Sequence, residues 1–197
     1  MHNKLKIVRL KGEAIRPYIP DLAKLRIEVF KSYPYLYEGD LAYEMRYLQT
    51  YINCPESIFV LVLDQEQVVG ASTAIPLQFE TTECQQPFLD HKINIKEVFY
   101  FGESVLQAMY RGRNIYQHFF RERETAAREY HAKIAAFAAV ERSINDPRRP
   151  KNYVPLDDVW KHFGYAKHPE LCAHYDWKEI GETIATPKPL IFWLKHI

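Results

Sequence analysis

The chain has 197 residues, 47% of them hydrophobic, and its 26 basic and 25 acidic side chains nearly cancel. That length suits one domain able to bury roughly 70% of its unfolded surface without covalent staples, and a near-zero net charge gives no field that would gather nucleic acid or an anionic membrane. Cys54, Cys84 and Cys172, odd in number and far apart, point to reduced thiols in a cytoplasmic protein, and the sequence holds neither a signal-peptide core nor an apolar run long enough to span a membrane.

In chain order, Lys4 to Leu10 alternates as a short strand, with Leu5 and Ile7 set against Lys4, Lys6 and Val8. From Pro20, acceptable in a first helical turn, Leu22, Leu25, Val29 and Phe30 mark an amphipathic helix that ends before Pro34. A second helix covers Leu41 to Ile52, with Leu41, Met45, Leu48 and Ile52 as its expected core stripe and Tyr43, Tyr47 and Tyr51 as a second stripe well round from it. Six tyrosines fall between Tyr33 and Tyr51, a residue type suited to half-buried surfaces such as a sheet edge or a dimer contact. Ser57 to Leu63 and Val68 to Ile75 form a hairpin across Asp64-Gln65-Glu66-Gln67. Residues 78 to 96 have room for one short helix, and Pro87 with the mixed charge leaves its form open.

Val98 to Gln107 is rich in β-branched and aromatic residues and reads as a strand. A basic turn follows, Arg111-Gly112-Arg113-Asn114, and the period then changes. Ile115, Phe119, Ala126 and Tyr130, with Tyr116, Phe120 and Ala127 beside them, share one helical face, while Arg121, Glu122, Glu124, Arg128 and Glu129 fill the other. A strand that feeds a basic turn opening a helix makes an anion site, because the first-turn N–H groups lack intrahelical partners and the two arginines add full charges. Ala132 to Val140 is small and apolar enough for a strand buried on both faces, giving a right-handed strand–helix–strand crossover. The stretch 141–158, with three prolines, is a loop. A short helix, Val159 to Phe163, is closed by Gly164. Tyr165 to Trp177 and Leu190 to Leu194 finish as strands, joined by a turn or long hairpin loop over Lys178 to Lys188.

The turn Arg111-Gly112-Arg113-Asn114-Ile115-Tyr116 resembles the Arg/Gln-x-x-Gly-x-Gly/Ala turn of the GNAT superfamily of acetyl-CoA-dependent N-acetyltransferases, with Asn114 and Tyr116 where glycine or alanine is usual. Glu103, eight residues before Arg111, matches a strand glutamate of many members. Val159 to Tyr165 is similar to the later Phe-Tyr-x-x-x-Gly-Phe segment, and the closing WKEIGE and KPLIFWL look like the last strands of a bacterial branch. The resemblance implies an α/β (α+β) fold in one domain: a mixed, twisted sheet of about seven strands with helices on both faces, whose strands 98–107 and 132–140 run parallel and splay apart.

The same resemblance implies acetyl-CoA as cosubstrate, with its pyrophosphate on Arg111, Gly112, Arg113, Asn114, Ile115 and Tyr116. Its pantetheine arm would lie along Val105, Leu106 and Gln107, with a backbone N–H near Leu106 meeting the oxyanion, and Asn145 would reach the pantetheine amides, although an Asn-Asp-Pro turn explains that residue equally well. The first two helices and their loop would wall the site of the acceptor, a primary amine on a small molecule or a protein, in a monomer or homodimer. Glu103 is the candidate base, since a carboxylate among Phe99, Phe101 and Val105 is desolvated and its pKa raised; the structural alternative is a buried pair with an arginine such as Arg142. Trp160 replaces the family's tyrosine acid and cannot give up a proton at useful pH; Tyr153, in the preceding loop, is the candidate substitute, the alternatives being that it is a packing or surface residue and that the thiolate leaves without help.

Tyr116 has two directions open to it, back onto Phe119 and Phe120 or into the phosphate position. The competing functional reading is a catalytically weak module that keeps the coenzyme A cleft without turnover. No metal site is expected: His162, His168 and His174 lack zinc spacing, and the cysteines lack a local nucleophile signature.

Overall fold

A computed structural model of the chain describes residues 5–197. Seven strands form one sheet: β1 (Lys6–Lys11), β2 (Ile58–Asp64), β3 (Gln67–Pro76), β4 (Val98–Leu106), β5 (Ile134–Val140), β6 (Ala166–Trp177) and β7 (Thr186–His196). Their order across the sheet is β1-β2-β3-β4-β5-β7-β6. Only β4 and β5 pair in parallel, as a crossover through the helix between them requires. Helices α1 (Ile19–Phe30), α2 (Leu41–Ile52) and α3 (Thr82–Asp90) pack with one apolar core; α4 (Ile115–Glu129) and α5 (Asp157–His162) belong to the other. This is the mixed, two-faced architecture expected. Strand β2 shows why its sequence is an unbroken apolar run: Phe59, Leu61 and Leu63 enter the first core and Ile58, Val60 and Val62 the second. No helix among the described residues is long and apolar enough to cross a membrane.

Two features of β4 place the functional groups. The first is that β4 and β5 pair only at Val98↔Ile134, Phe99↔Ala135 and Tyr100↔Ala136. Beyond Tyr100 the strands part, β5 stays with β7 to its end, and β4 is left with an unpaired edge from Phe101 to Leu106. The second is a bulge: Ser104 pairs with Ser72 and Phe101 with Ala74, so Gly102 and Glu103 together oppose the single residue Thr73. Strict alternation would put Glu103 beside Phe99 and Phe101 against α4. The bulge turns it over, and Glu103 joins Tyr100 and Gly102 in a cavity on the α1–α2 face. A side chain at Gly102 would meet the Tyr51 hydroxyl and, at 2.6 Å, Thr73 Oγ1. Tyr51 is fully buried and bonded to Glu80, so it has nowhere to go. Gly102→Ala is therefore expected to cost about 1–3 kcal/mol, read as a melting temperature lower by roughly 3–10 °C; an unchanged melt would mean that the bulge relaxes freely.

Three expectations from periodicity are corrected. In α2, Leu41 and Met45 are exposed, and the buried side is Glu44, Leu48, Tyr51 and Ile52. An ion pair from Glu44 to Arg26 of α1 and a hydrogen bond from Tyr51 to Glu80 fix that rotation. In α4, Glu124 is buried rather than solvated, because it accepts from Lys195 Nζ at 2.8 Å and the Tyr165 hydroxyl at 3.2 Å. Strand β7 starts at Thr186, ahead of Leu190, despite Pro187 and Pro189. Its pairing with β5 begins only at Leu190, so this stretch has β6 alone as neighbour, and an edge position tolerates the missing N–H groups.

Candidate active site

At the open end of β4 the backbone faces alternate. The Gln107 N–H donates to Val69 C=O at 3.0 Å, so Val105, two residues earlier, also turns toward β3, while Leu106 turns its N–H and C=O into the gap left by β5. Val105 then contributes its side chain to the core, and the Gln107 amide reaches Glu28 at 3.3 Å. Of these three residues, Leu106 is the one that presents backbone to the gap. Its carbonyl accepts from Arg111 Nε at 3.4 Å.

A short 3-10 turn, Ala108–Tyr110, leads into the basic turn. Gly112 has φ +75°, and Asn114 has φ +60° as the residue that begins α4. Asparagine is among the few side chains that tolerate this left-handed backbone, which explains how it stands where glycine is usual. The Asn114 side chain makes no cap, so the first-turn N–H groups of α4 are left without an acceptor from it. Arg113 lies over the Tyr110 ring, 5.2 Å from its centre, and donates to the Met109 carbonyl at 3.2 Å. Neither Arg111 nor Arg113 pairs with a carboxylate among the described residues.

Ile115 is buried in the core, and Tyr116 takes the inward direction. Its ring meets Phe120 edge-on at 5.1 Å, lies 6.3 Å from Phe163, and its hydroxyl accepts Trp160 Nε1–H at 2.8 Å. Burial raises its pKa. Trp160 is itself wedged against Phe137 and Trp193, so this pair ties the start of α4 to α5. Asn145 is exposed in its turn, its N–H donating to Ser143 Oγ at 3.2 Å. Tyr153 packs edge-on against Tyr33 at 4.7 Å under Arg149, outside the wall of the cavity.

The cavity has a volume of about 750 Å³. Deep in its wall, Arg26 bridges two buried carboxylates, Glu44 of α2 and Glu103 of β4. Its guanidinium also lies 5.1 Å from the centre of the Phe30 ring and 4.8 Å from that of Tyr47. The buried partner of Glu103 is thus Arg26 and not Arg142, which instead pairs with Glu179 and donates to the carbonyls of Pro34 and Tyr35. Burial raises the Glu103 pKa above its ordinary 4.5, opposed by the Arg26 charge. Glu103 Oε1 accepts no hydrogen bond from the described residues. Tyr35 lines the same cavity, and burial pushes its phenol up to about 12.

Sequence reasoning missed Arg26, Glu44 and Tyr35. No motif marks them, and their only signal is that charged and phenolic residues recur on the helical stretches expected to wall an acceptor.

No protein-family model matches the sequence, and neither does any curated protein. Solved structures match over nearly the full length. The ribosomal-protein-alanine N-acetyltransferase of Brucella melitensis superposes with a TM-score of 0.60 at 14% identity, covering 98% of this chain and 99% of that one. The polyamine N-acetyltransferase of Drosophila melanogaster, which forms N-acetylagmatine, gives 0.58 at 10% identity over 98% and 100%. A GNAT-family acetyltransferase of Staphylococcus aureus gives 0.59 at 10% identity over 98% and 99%. With β4 and β5 parting above a left-handed basic turn, and with this likeness along its whole length, the chain has the fold of the GNAT superfamily.

Proposed function

We propose that the chain is an acyltransferase that moves an acetyl group from acetyl-CoA to a primary amine. The observation that carries this reading is the free edge of β4, which lies between the basic turn and the cavity holding Glu103. On this reading the pantetheine arm pairs with the Phe101–Leu106 edge as an added strand would. The pyrophosphate meets the open N–H groups at the start of α4 together with Arg111 and Arg113. Glu103 takes a proton from the acceptor ammonium, directly or through water, and the freed nitrogen attacks the thioester carbonyl. The Leu106 N–H stabilises the oxyanion. Collapse breaks the C–S bond, and the thiolate, a tolerable leaving group by its pKa, takes up the second proton that the attacking nitrogen sheds, relayed through water or the Tyr35 hydroxyl.

A coenzyme-binding module with little turnover is favoured by one observation, the commitment of Trp160 Nε1–H to Tyr116, which leaves no proton donor at the family's usual acid position. Release of free thiol from acetyl-CoA with a panel of amines separates the two readings, and calorimetry with coenzyme A tests what they share. Arg113→Ala is expected to weaken coenzyme A by about 1.5–3 kcal/mol, the range for hydrogen bonds to charged groups. Wild-type protein that ignores millimolar coenzyme A would end both readings.

A further inference from the structure

We propose that the cavity beside Glu103 takes a flexible aliphatic amine bearing two or more positive charges, a di- or polyamine; that this ligand is the acceptor rests on the transferase reading above. The cavity wall carries six carboxylates against two cations, Arg26 and Lys178. Lys178 is spent on Glu38 at 3.0 Å, and Arg26 is held between Glu44 and Glu103. Two needs are left over, at different depths. Inside, Glu103 is only 6% exposed, yet its Oε1 has no donor among the described residues. A buried carboxylate oxygen without a partner costs free energy that an ammonium group from a ligand would recover. At the rim, Glu83 of α3 and Asp176 of β6 are exposed and have no cationic partner among the described residues.

Between these depths the wall is aromatic, with Tyr35, Tyr100, Tyr175 and Trp177 among its rings. Such rings take methylene stems on their surface and cations on their faces. The wall already holds one cation in this way, since Arg26 sits over Phe30 and Tyr47 between two carboxylates. A chain of methylenes with an ammonium at each end answers both needs at once. An acceptor with its own carboxylate would set a negative charge against the rim acids, and a monoamine would leave the rim unanswered.

The test is calorimetry on the full chain without coenzyme, using spermidine, butylamine and β-alanine as probes. Spermidine is expected to bind at least about tenfold tighter than butylamine, or 1.4 kcal/mol, to weaken as salt rises, and to outbind β-alanine. The double variant Glu83→Gln/Asp176→Asn, at two exposed positions, is expected to lower spermidine affinity about three- to tenfold and leave butylamine unchanged. Equal binding of butylamine and spermidine, tighter binding of β-alanine, or a double variant indistinguishable from wild type toward spermidine would each overturn the proposal. Thiol release from acetyl-CoA, followed in parallel, answers the other question. Tight, variant-sensitive spermidine binding with no thiol released from any amine would keep the cavity assignment and end the transferase reading, whereas thiol release with monoamines and no spermidine binding would do the reverse.

Discussion

Glu103→Gln is expected to lower the turnover number by about 10²–10⁴, the span assigned to a positioned general base, while coenzyme A affinity stays within experimental scatter. The separation follows from the bulge opposite Thr73, which aims the Glu103 side chain into the cavity while the basic turn lies beyond the end of β4. Glutamine keeps the shape and leaves Arg26 paired with Glu44, so the fold survives the change. The pH dependence gives a second readout. Because burial raises the Glu103 pKa above 4.5, the active, ionised form is lost on acidification at a pH above the ordinary carboxylate range. The acidic limb of the wild-type pH–rate profile should lie there and should flatten in the variant. Near-normal turnover at neutral pH would assign Glu103 to structure.

Arg26→Leu is expected to be the most destabilising single change in the cavity, at about 3–5 kcal/mol near neutral pH, since it leaves buried charge uncompensated. The side chains of Glu44 and Glu103 are only 1% and 2% exposed, so neither can turn to water for relief. Without the guanidinium, Glu103 loses the charge that opposes the effect of burial, and its folded pKa stands further above the unfolded one. Stability is accordingly retained below the ordinary carboxylate range and lost as pH rises through the raised folded value. Urea midpoints should therefore differ little between variant and wild type at about pH 4 and widely at about pH 8. A constant gap across that range would show that the loss comes from packing against Phe30 and Tyr47 and not from the charges.

Much of this molecule is legible in its sequence because local rules act on local residues. The hairpin across 64–67, the helix over Leu41–Ile52 and the passage from the strand at Val98 through a basic turn to the helix at Ile115 follow from period, turn chemistry and propensity. The left-handed backbone at Asn114 is one that asparagine's own sterics permit. These elements also fix the class of fold, since a parallel pair joined by a helix admits few arrangements in a mixed sheet.

The site was decided elsewhere. Glu103 could be singled out from sequence, but alternation alone would face it toward α4; only the cross-strand register, two residues of β4 against Thr73, turns it into the cavity. Its partner Arg26 lies in a different helix, and periodicity counts such charges as solvent-facing because it cannot see the carboxylates that neutralise them. The same blindness placed Glu124 outside, although Lys195 and Tyr165 hold it within the core, and it made Leu41 and Met45 look like core residues of α2 while Glu44 took the buried side. The inward turn of Tyr116 depended on Trp160 and Phe163 arriving from a later helix. Sequence by itself thus determined the elements and the basic turn, where each residue answers to its neighbours in the chain. Tertiary structure alone decided which charges could be buried, because burying a charge is tolerable only when a distant part of the chain brings its partner.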